Sequence, residues 1–437
     1  MMRRFSIALF AVIATLLTAL PASADKTEDL KDAGDIVQIL LPVSAYGLTW
    51  LYGDKEGFYQ YTKAFAGAVI TTQVAKFAVG RLRPDASNTA SYPSGHTTAA
   101  FSGAGFIHQR YRNPWLSVPA FAAAGFVGYS RIRGNKHYRD DVLAGASVGL
   151  MWNWYAVTPM AQTVSLSPID VGDGFGVQFE YNFGDRQRVA PVFEETPRFR
   201  YVYEFGPTKP QTNDVQSPPG TGTLLDFADA QEDADFTSRA FVEFYFGRER
   251  AHELEGYLAP IEIIDYSRPA ELVGPVDFAG VTFFPDPTAQ VAARFRYLEA
   301  RLDYLYRIVR NDKWNVRVGG GLSYFDTAVE IKQFTGSPKS PNIIQYGRVE
   351  NHSLLPSIAG RARYSFSPRW FAEGQLDFWP GDDSGVNAAA LVGWRVNPEW
   401  EFSVGGRYLA GDLDSSNKVA IKFRQLQWMA QVVKAFY

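Results

Sequence analysis

The stretch WNVRVGGGLSY, Trp314–Tyr324, shows the pattern that decides the fold of the second half of the chain. Its tryptophan, valines, leucine and tyrosine stand at even positions, and polar residues or glycines separate them. In a β-strand, successive side chains point to opposite faces, so apolar residues at every second position predict a strand with one apolar face. The same period of two recurs from about residue 160 to the C-terminus.

The recurrence predicts a meander of strands, among them 175–183, 199–205, 298–308, 358–366, 370–378, 388–396 and 400–408. Short polar turns such as Asn311-Asp312 alternate with longer loops such as 207–235. Transmembrane β-barrels have short turns at one end, long loops at the other, and apolar residues facing lipid. We therefore predict a transmembrane antiparallel β-barrel of about 10 to 12 strands over residues 158–437, with outer-membrane lipid around it. A soluble periplasmic β-sandwich is the alternative, because its strands also alternate.

The last two residues, Phe436 and Tyr437, resemble the aromatic C-terminal signal of Gram-negative outer-membrane barrel proteins. With Tyr437 facing lipid, Ala435, Val433 and Met429 are predicted to face lipid as well. The short turns, the C-terminus and the domain that precedes the barrel fall on one side of the predicted membrane. We expect that side to be the periplasm, since the short turns of such barrels are periplasmic.

The first residues have the features of a secretory signal peptide. Two arginines precede an uncharged apolar run over residues 5–20, which is followed by the small-residue triplet Ala22-Ser23-Ala24. This combination directs a chain out of the cytoplasm. We predict a signal peptide over residues 1–24, with a retained membrane helix as the alternative.

Composition excludes several classes of function. The 437 residues contain no cysteine and carry a net charge of −3. Disulfide scaffolds, thiol chemistry and cysteine-ligated zinc sites are therefore excluded. No nucleic-acid partner is expected, because nucleic-acid phosphates select basic surfaces.

Residues 25–157 have a different character from the barrel half. Apolar stretches rich in alanine, glycine and leucine lie at 36–52, 64–79, 97–107, 115–129 and 142–157. Each has about 11 to 17 residues, which is short for crossing a bilayer and suits the helices of a compact bundle. We predict an all-α helical domain, and contact of one of its faces with lipid stays open.

Two short blocks in this helical domain point to anion binding. Lys76 and Arg83 are seven residues apart, close to two helical turns, so both cations can project toward one anion. The run Pro93-Ser94-Gly95-His96 stands directly before an apolar helical stretch. A serine and a glycine that open a helix offer a hydroxyl group, free backbone N–H groups and the positive end of the helix dipole. Taken alone, the first block would be a solvated helix face and the second an ordinary N-cap.

A third block carries a histidine with a carboxylate partner. His137 and Asp141 stand four residues apart, which places both on one face of a helix. The carboxylate can then fix the tautomer of the imidazole and leave its other nitrogen free as a nucleophile. Arg131, shortly before, adds a planar fork of donors suited to phosphate oxygens. By itself such a histidine is more often structural.

In this order the three blocks resemble the signature of the type 2 phosphatidic acid phosphatase superfamily. That superfamily includes bacterial non-specific acid phosphatases, membrane lipid phosphatases and vanadium haloperoxidases. Every fixed position of the family pattern is filled at the family's spacing within each block, and the resemblance covers about residues 35–157.

The resemblance implies a role for each residue of the blocks. His137 would attack phosphorus, Asp141 would orient His137, and His96 would protonate the leaving oxygen. The implied phosphate-binding residues are Lys76, Arg83, Ser94, Gly95 and Arg131. No metal and no other cofactor is implied, because cations and backbone amides can neutralise the oxygens of a transferring phosphoryl group.

Four further cations crowd the same blocks, namely Arg81, Arg133, Lys136 and Arg139. They predict either a second phosphate subsite, for a diphosphate or a lipid headgroup, or a solvated basic rim that balances Asp85 and Asp140.

Together these patterns predict a metal-independent phosphatase that hydrolyses phosphomonoesters or diphosphates through a phosphohistidine. The barrel favours a phosphorylated lipid as substrate, while a small soluble phosphoester stays open. The catalytic domain is expected on the periplasmic side of the outer membrane. The alternatives are a non-specific periplasmic acid phosphatase, an enzyme like the vanadium haloperoxidases, and a non-enzymatic outer-membrane pore.

Overall fold

A computed structural model describes residues 26–160, 164–170, 175–181, 196–227, 235–267, 274–338, 340–413 and 419–437 of the protein. The predicted signal peptide lies outside the described residues.

The N-terminal domain consists of five α-helices joined by short connections. They are α1 (Lys26–Leu51), α2 (Lys55–Val79), α3 (Gly95–Tyr111), α4 (Pro114–Arg133) and α5 (Arg139–Ala156). Capping side chains set two of the starts: Asp54 accepts a hydrogen bond from the N–H of Gly57, and Asn113 accepts one from the N–H of Trp115. The core holds small residues packed around aromatic rings such as Tyr61. The predicted all-α domain is confirmed.

Among the described residues, no helix has both the length and the apolar character needed to cross a membrane.

The C-terminal domain is a closed antiparallel β-barrel of ten strands. They are β3 (Phe199–Gln216), β5 (Asp235–Phe246), β6 (His252–Ser267), β9 (Gln290–Arg310), β10 (Trp314–Ser337), β11 (Ser340–Ser365), β12 (Trp370–Trp379), β13 (Ser384–Asn397), β14 (Trp400–Leu413) and β15 (Ala420–Phe436). Each strand pairs with the next in this order, and β15 pairs back with β3, which closes the cylinder. The prediction of a barrel is confirmed, and the sandwich alternative is wrong, because a sandwich leaves its sheets open.

The predicted strand at 175–183 does not belong to the barrel. Its described part is β2 (Phe175–Tyr181), which pairs with β1 (Val164–Asp170) in a separate two-stranded sheet. The remaining short strands are β4 (Leu224–Asp226), paired with β3, and the hairpin of β7 (Val276–Phe278) with β8 (Val281–Phe283). Alternation identifies a strand but not its partner, and that explains the error at 175–183.

The two ends of the barrel differ in their connections. Phe199, at the start of β3, pairs with Phe436, at the end of β15, and the tight turns 311–313, 366–369 and 398–399 lie at the same end. We call this the short-turn end. The opposite loop end carries the long connections 217–234 and 268–289.

The outward face of the barrel carries an apolar band next to the short-turn end. On β10 the apolar set runs from Trp314 to Tyr324, which corresponds to about 33 Å along the strand and about 25 Å of height at a tilt of about 40°. Exposed leucines at 302, 354 and 376 continue this apolar band around the barrel. Beyond Tyr324, toward the loop end, the outward side chains become charged. This polar collar consists of Glu262, Arg294, Arg296, Asp326, Glu330, Arg348 and Glu350.

The barrel interior is filled by side chains. Arg407 forms an ion pair with Glu204 at 2.9 Å, and Arg301 forms one with Asp377 at 2.8 Å, all four side chains being almost fully buried. Met429 and Val433, predicted to face lipid, belong to apolar clusters inside the barrel, and the buried Ala435 shares their side of β15. That prediction is wrong because the interior is itself partly apolar, so apolar character does not distinguish the two faces of β15.

The helical domain packs against the outside of the barrel wall. Tyr203 points outward from β3, yet its side chain is buried, because the helical domain covers it. Its hydroxyl group lies 2.7 Å from the hydroxyl group of Tyr92. The hydroxyl of Ser147, on α5, lies 2.7 Å from that of Tyr201. One part of the predicted lipid-facing surface, at 199–205, therefore contacts the helices.

We expect the purified protein to show heat-modifiable migration on electrophoresis. A closed barrel satisfies its backbone hydrogen bonds internally, so it should stay folded in detergent until it is boiled. The measurement compares the mobility of unheated and boiled samples on one gel. Identical mobility of the two samples, with the protein in the soluble periplasmic fraction, would contradict the membrane barrel.

Candidate active site

The residues of the second and third blocks meet where the starts of α3 and α5 approach each other. The backbone N–H of Ser94 donates a hydrogen bond of 2.9 Å to the carbonyl of Asp141. Gly145 permits this approach, because a Cβ at that position would lie only 2.5 Å from the carbonyl oxygen of Ser94. A side chain there would push α3 away from α5 and separate the two blocks.

Asp141 is fully buried and held by three donors. Its Oδ2 accepts hydrogen bonds from the Ser91 hydroxyl at 2.5 Å and from the Tyr138 N–H at 2.9 Å. Its Oδ1 lies 3.1 Å from Nη1 of Arg81. Burial by itself raises the pKa of this carboxyl, but the charge of Arg81 and the interactions with His137 and Ser91 outweigh it and lower the pKa of Asp141 to about 2. Asp141 is therefore a fixed anion.

His137 faces this anion, with its Nδ1 3.5 Å from Oδ2 of Asp141. The expectation that the two residues share a helix face is wrong, because α5 begins at Arg139 and His137 precedes it. They meet because the extended residue Tyr138 directs His137 back over the first turn of α5. Burial lowers the pKa of His137 and Lys76 lowers it further, while Asp141 acts in the opposite direction. A neutral imidazole with Nε2 left to react is the form a nucleophile requires.

Lys76 and Arg83 approach the same place by a route that differs from the predicted one. Helix α2 ends at Val79, and Gly80 follows in the left-handed conformation with φ 61°, so Arg83 lies in a loop and not two turns further along the helix. The Lys76 Nζ donates to the carbonyl oxygen of Ala90 at 2.6 Å. Burial, helped by the charge of Arg83, lowers the pKa of Lys76 to about 8.

The Arg83 side chain has spare donor capacity. Its Nε is buried and has no hydrogen-bond partner among the described residues. A buried cationic N–H without a partner costs free energy, and a phosphate oxygen would satisfy it. Of the predicted phosphate ligands, Arg83 is the one with such an unsatisfied nitrogen in the described part of the chain.

The start of α3 supplies the predicted helix-terminal site. Ser94 is the N-cap, and its Oγ accepts hydrogen bonds from the N–H and the hydroxyl of Thr97. Gly95 is the first helical residue, and a Cβ there would lie 3.8 Å from Cε of Lys76. The lysine therefore reaches the helix start, where backbone N–H groups lack intrahelical acceptors. Phosphate binding by Ser94 and Gly95 stays a prediction.

Sequence analysis missed Asp35, which joins two of the predicted site residues. Its Oδ1 lies 3.0 Å from Nε2 of His96 and 2.6 Å from Nη1 of Arg131. The other nitrogens of Arg131 bond the Lys31 carbonyl oxygen and the Ser130 hydroxyl. Burial and the charge of Arg131 lower the pKa of His96 to about 4, against the opposing influence of Asp35. No spacing in the sequence relates Asp35 to His96, 61 positions later, or to Arg131, 96 positions later.

Most of the further cations near the blocks form ion pairs with carboxylates. Arg81 is buried and contacts Asp140 at 2.7 Å, Asp141 and, across the domain boundary, Asp235 of the barrel. Lys136 pairs with Asp85 at 2.6 Å and Arg139 lies 3.5 Å from Asp326. Arg81, Lys136 and Arg139 thus each have a carboxylate partner, and a second phosphate subsite formed by them stays a prediction. Arg81 also connects the candidate site to the barrel.

We expect Asp35→Asn to shift the pH dependence of turnover. The carboxylate raises the pKa of His96, so its removal lowers that pKa and leaves less protonated imidazole at a given pH. The alkaline limb of kcat/KM for an alkyl phosphate, where activity falls as the general acid loses its proton, should therefore move to lower pH, while p-nitrophenyl phosphate, which needs no proton donor, should change much less. Asp32→Asn on the same helix is the control. An unshifted profile for the alkyl substrate would show that Asp35 does not set the protonation of His96.

The described residues contain one carboxylate group with the spacing to hold a metal ion, Glu243 with Glu253 and Glu255. It lies inside the barrel, away from the candidate site, and each member lies close to an arginine.

Comparison with known proteins identifies the helical half. Residues 58–163 match the sequence model of the PAP2 superfamily, so the chain contains a PAP2 superfamily domain. A lipid A 1-phosphatase of Porphyromonas gingivalis is 50% identical over 78 residues, which cover 17% of this chain and 18% of that protein. A lipid A 1-phosphatase of Rhizobium etli is 31% identical over 126 residues, covering 24% of this chain and 50% of that one. The chain thus spans no more than about half the length of these relatives.

The barrel half resembles outer-membrane barrel proteins. The outer membrane protease OmpT from Escherichia coli matches 55% of this chain and 96% of its own, with 10% identity and a TM-score of 0.36.

Proposed function

We propose that this protein is an outer-membrane lipid phosphatase that works through a phosphohistidine at His137. The observation that carries the proposal is the buried pair of His137 and the anion Asp141, set beside Lys76, Arg83 and the start of α3. A neutral nucleophile, two cations and free backbone amides are the components that phosphoryl transfer needs. The PAP2 superfamily match over the same residues supports it.

The mechanism has two transfer steps. Nε2 of His137 attacks phosphorus, the bond from phosphorus to the leaving oxygen breaks, and His96 gives its proton to that oxygen. Water then attacks the phosphohistidine, His96 takes a proton from the water, and inorganic phosphate leaves as the nitrogen–phosphorus bond breaks. Lys76 and Arg83 stabilise the equatorial oxygens in both steps, so the reaction proceeds without a metal ion.

The proposed substrate is the phosphate of a lipid A-type molecule. Both relatives are named for removing the 1-phosphate of lipid A. The barrel, with its apolar band, holds the site beside a membrane, where a lipid phosphate is concentrated. The periplasmic placement expected from sequence is not part of this proposal, because the site lies toward the loop end of the barrel.

Purified protein should release phosphate from diphosphoryl lipid A in detergent micelles, with chelator present, and vanadate should inhibit it. Chelators should leave the rate unchanged because cations and amides supply the charge stabilisation. Vanadate should compete with the substrate because it adopts the geometry that a phosphoryl group has during its transfer. The measurement is phosphate release with and without chelator, with a soluble phosphomonoester assayed in parallel.

Complete loss of activity in chelator, restored by zinc or magnesium, would contradict the site as assigned. Turnover of the soluble ester alone, with no release from lipid A, would favour the alternative of a non-specific acid phosphatase. Bromide oxidation by the vanadate-loaded protein would favour the haloperoxidase alternative.

A further inference from the structure

We propose that the site opens toward the outside of the cell, at the headgroups of the outer leaflet, and that the helical domain lies in lipid beside the barrel. This replaces the expectation that the catalytic domain faces the periplasm. The orientation does not depend on the enzyme activity, whereas its consequence for the substrate rests on the proposed function.

The first step is to assign the two ends of the barrel. The C-terminus, the start of the first barrel strand and the tight turns 311–313, 366–369 and 398–399 lie at the short-turn end. The long connections lie at the other end, where β10 and β11 also extend well beyond the apolar band, to Ser337 and Ser340. Outer-membrane barrels have short periplasmic turns and longer external loops. The loop end and the polar collar are therefore external.

The second step is to place the site along the barrel. Arg81, which holds Asp141, bonds the carboxylate of Asp235 at 3.1 Å and the carbonyl oxygen of Glu262 at 2.8 Å. Asp235 begins β5 at the loop end, and Glu262 belongs to the polar collar. Arg139, at the start of α5, lies 3.5 Å from Asp326 of the same collar. The site is thus level with the collar.

The other end of α5 reaches the short-turn end. The Trp154 ring lies 5.2 Å from that of Tyr201 and 5.5 Å from that of Phe436, and the Tyr155 ring lies 6.5 Å from that of Trp400. An α-helix of 18 residues is about 27 Å long. This length is close to the height of about 25 Å of the apolar band. Helix α5 therefore lies against the barrel wall over the height of the band, with the site beyond the external edge of the band.

The third step is the outer surface of the helical domain, which continues the apolar band. Apolar side chains of the helical domain are strongly exposed, with exposed fractions of 58% for Val43, 62% for Ile70, 63% for Val74 and 67% for Val118. Exposed aromatic side chains lie at both ends, with Trp50 and Trp115 at the short-turn end and Phe77 at the site end. Membrane proteins concentrate aromatic rings at both lipid–water interfaces.

Apart from Lys63, the charged residues of these helices lie at the helix ends. Across residues 36–51, 57–75, 97–107, 114–130 and 142–156, the sequence contains a single aspartate, glutamate, lysine or arginine, Lys63. A water-exposed surface of this size without charge would be unusual for a soluble domain. The occupant we assign to it is the acyl chains of the lipid that surrounds the barrel, because the surface adjoins the apolar band and has the same height.

A test of the orientation is possible because the chain has no cysteine, so each introduced cysteine is unique. Thr89→Cys and Ser87→Cys mark the exposed loop at the site, and Asp382→Cys marks the loop end of the barrel. Asp312→Cys and Lys55→Cys mark the short-turn end. Intact cells are treated with a maleimide carried on a 5-kDa polyethylene glycol, which does not cross the outer membrane, and lysed cells show full reactivity.

We expect the two site cysteines to react in intact cells to the same extent as Asp382→Cys, and the two short-turn cysteines to react only after lysis. If the site cysteines stay unreactive in intact cells while Asp382→Cys reacts, the proposed orientation is wrong. An assay of the wild-type protein with p-nitrophenyl phosphate separates the two proposals. If the site cysteines of the variants react in intact cells but the wild-type protein shows no turnover, the orientation stands and the proposed phosphatase activity is wrong.

The lipid contact has its own test. A nitroxide attached to Ile70→Cys, in vesicles of phosphatidylethanolamine and phosphatidylglycerol, should be relaxed by oxygen and protected from a water-soluble nickel chelate. The matched control is Leu354→Cys on the barrel, which is equally exposed, and Asp312→Cys is the aqueous reference. A nitroxide at residue 70 with the nickel accessibility of residue 312 would place the helical domain in water and overturn the proposal.

Discussion

His137→Ala should abolish turnover of every phosphate substrate, whatever its leaving group. The substitution removes the only group proposed to bond covalently to phosphorus, and loss of a catalytic nucleophile lowers kcat by on the order of 10⁴ to 10⁶. The rates to compare are those for diphosphoryl lipid A and p-nitrophenyl phosphate, measured in detergent on protein that keeps its heat-modifiable mobility. His108→Ala is the matched control, because His108 lies on α3 far from the site and bonds Ser117.

The control should stay within about twofold of the wild type, as substitutions away from the reacting groups usually do. Residual activity of His137→Ala within tenfold of the wild type would overturn the nucleophile assignment. Asp141 would then have no nucleophile to orient.

His96→Ala should discriminate between substrates by their leaving groups. General acid catalysis contributes typically about 10² to 10⁴ in rate, and an alkoxide needs the proton that His96 supplies. The first step with an alkyl phosphate should therefore slow by about this factor, while the first step with p-nitrophenyl phosphate should slow much less. Rapid-quench measurement of the initial phosphoenzyme burst with both substrates gives the two rates directly.

Equal slowing of both bursts would mean that His96 positions phosphate and does not donate the proton. In that case the contact between His96 and Asp35 would be structural, and the expected shift in the Asp35→Asn pH profile should also be absent.

Local patterns were enough to identify the two halves of the protein. Period-two alternation of the kind in Trp314–Tyr324 depends only on neighbours in the chain, so most strands, the outward faces of β9 to β14 and the helical domain were predictable. The starts of helices were equally local, as Ser94 at the cap of α3 shows. The number of strands could be limited to about 10 to 12 because the polar turns between the strands are recognisable in the sequence.

Contacts between distant segments were not predictable in the same way. Asp35 reaches His96 and Arg131 only because α1 packs against α3 and α4, and Arg81 reaches Asp235 only because the helical domain lies on the barrel wall. Neither contact leaves a spacing in the sequence. The face of β15 was assigned wrongly for a related reason: whether Val433 points to lipid or to the interior depends on what the other strands place inside the barrel.

The geometry of the blocks shows a further limit. Spacings of four and seven suggested shared helix faces, but His137 precedes its helix and Arg83 follows the end of another. His137 still meets Asp141, and Lys76 still meets Arg83, because the turn next to each helix directs one side chain toward its partner. The residue types therefore predicted the chemistry more reliably than the spacing predicted the conformation.

The most direct test of the central claim is to trap the phosphoenzyme and locate the phosphate. The wild-type protein is mixed with substrate carrying a radioactive phosphate, quenched in alkali within milliseconds, digested and mapped. We predict a label that is stable to alkali, lost in acid, carried by the peptide that contains His137, and missing from His137→Ala. A label stable to acid, or one carried by a peptide without His137, would contradict the account.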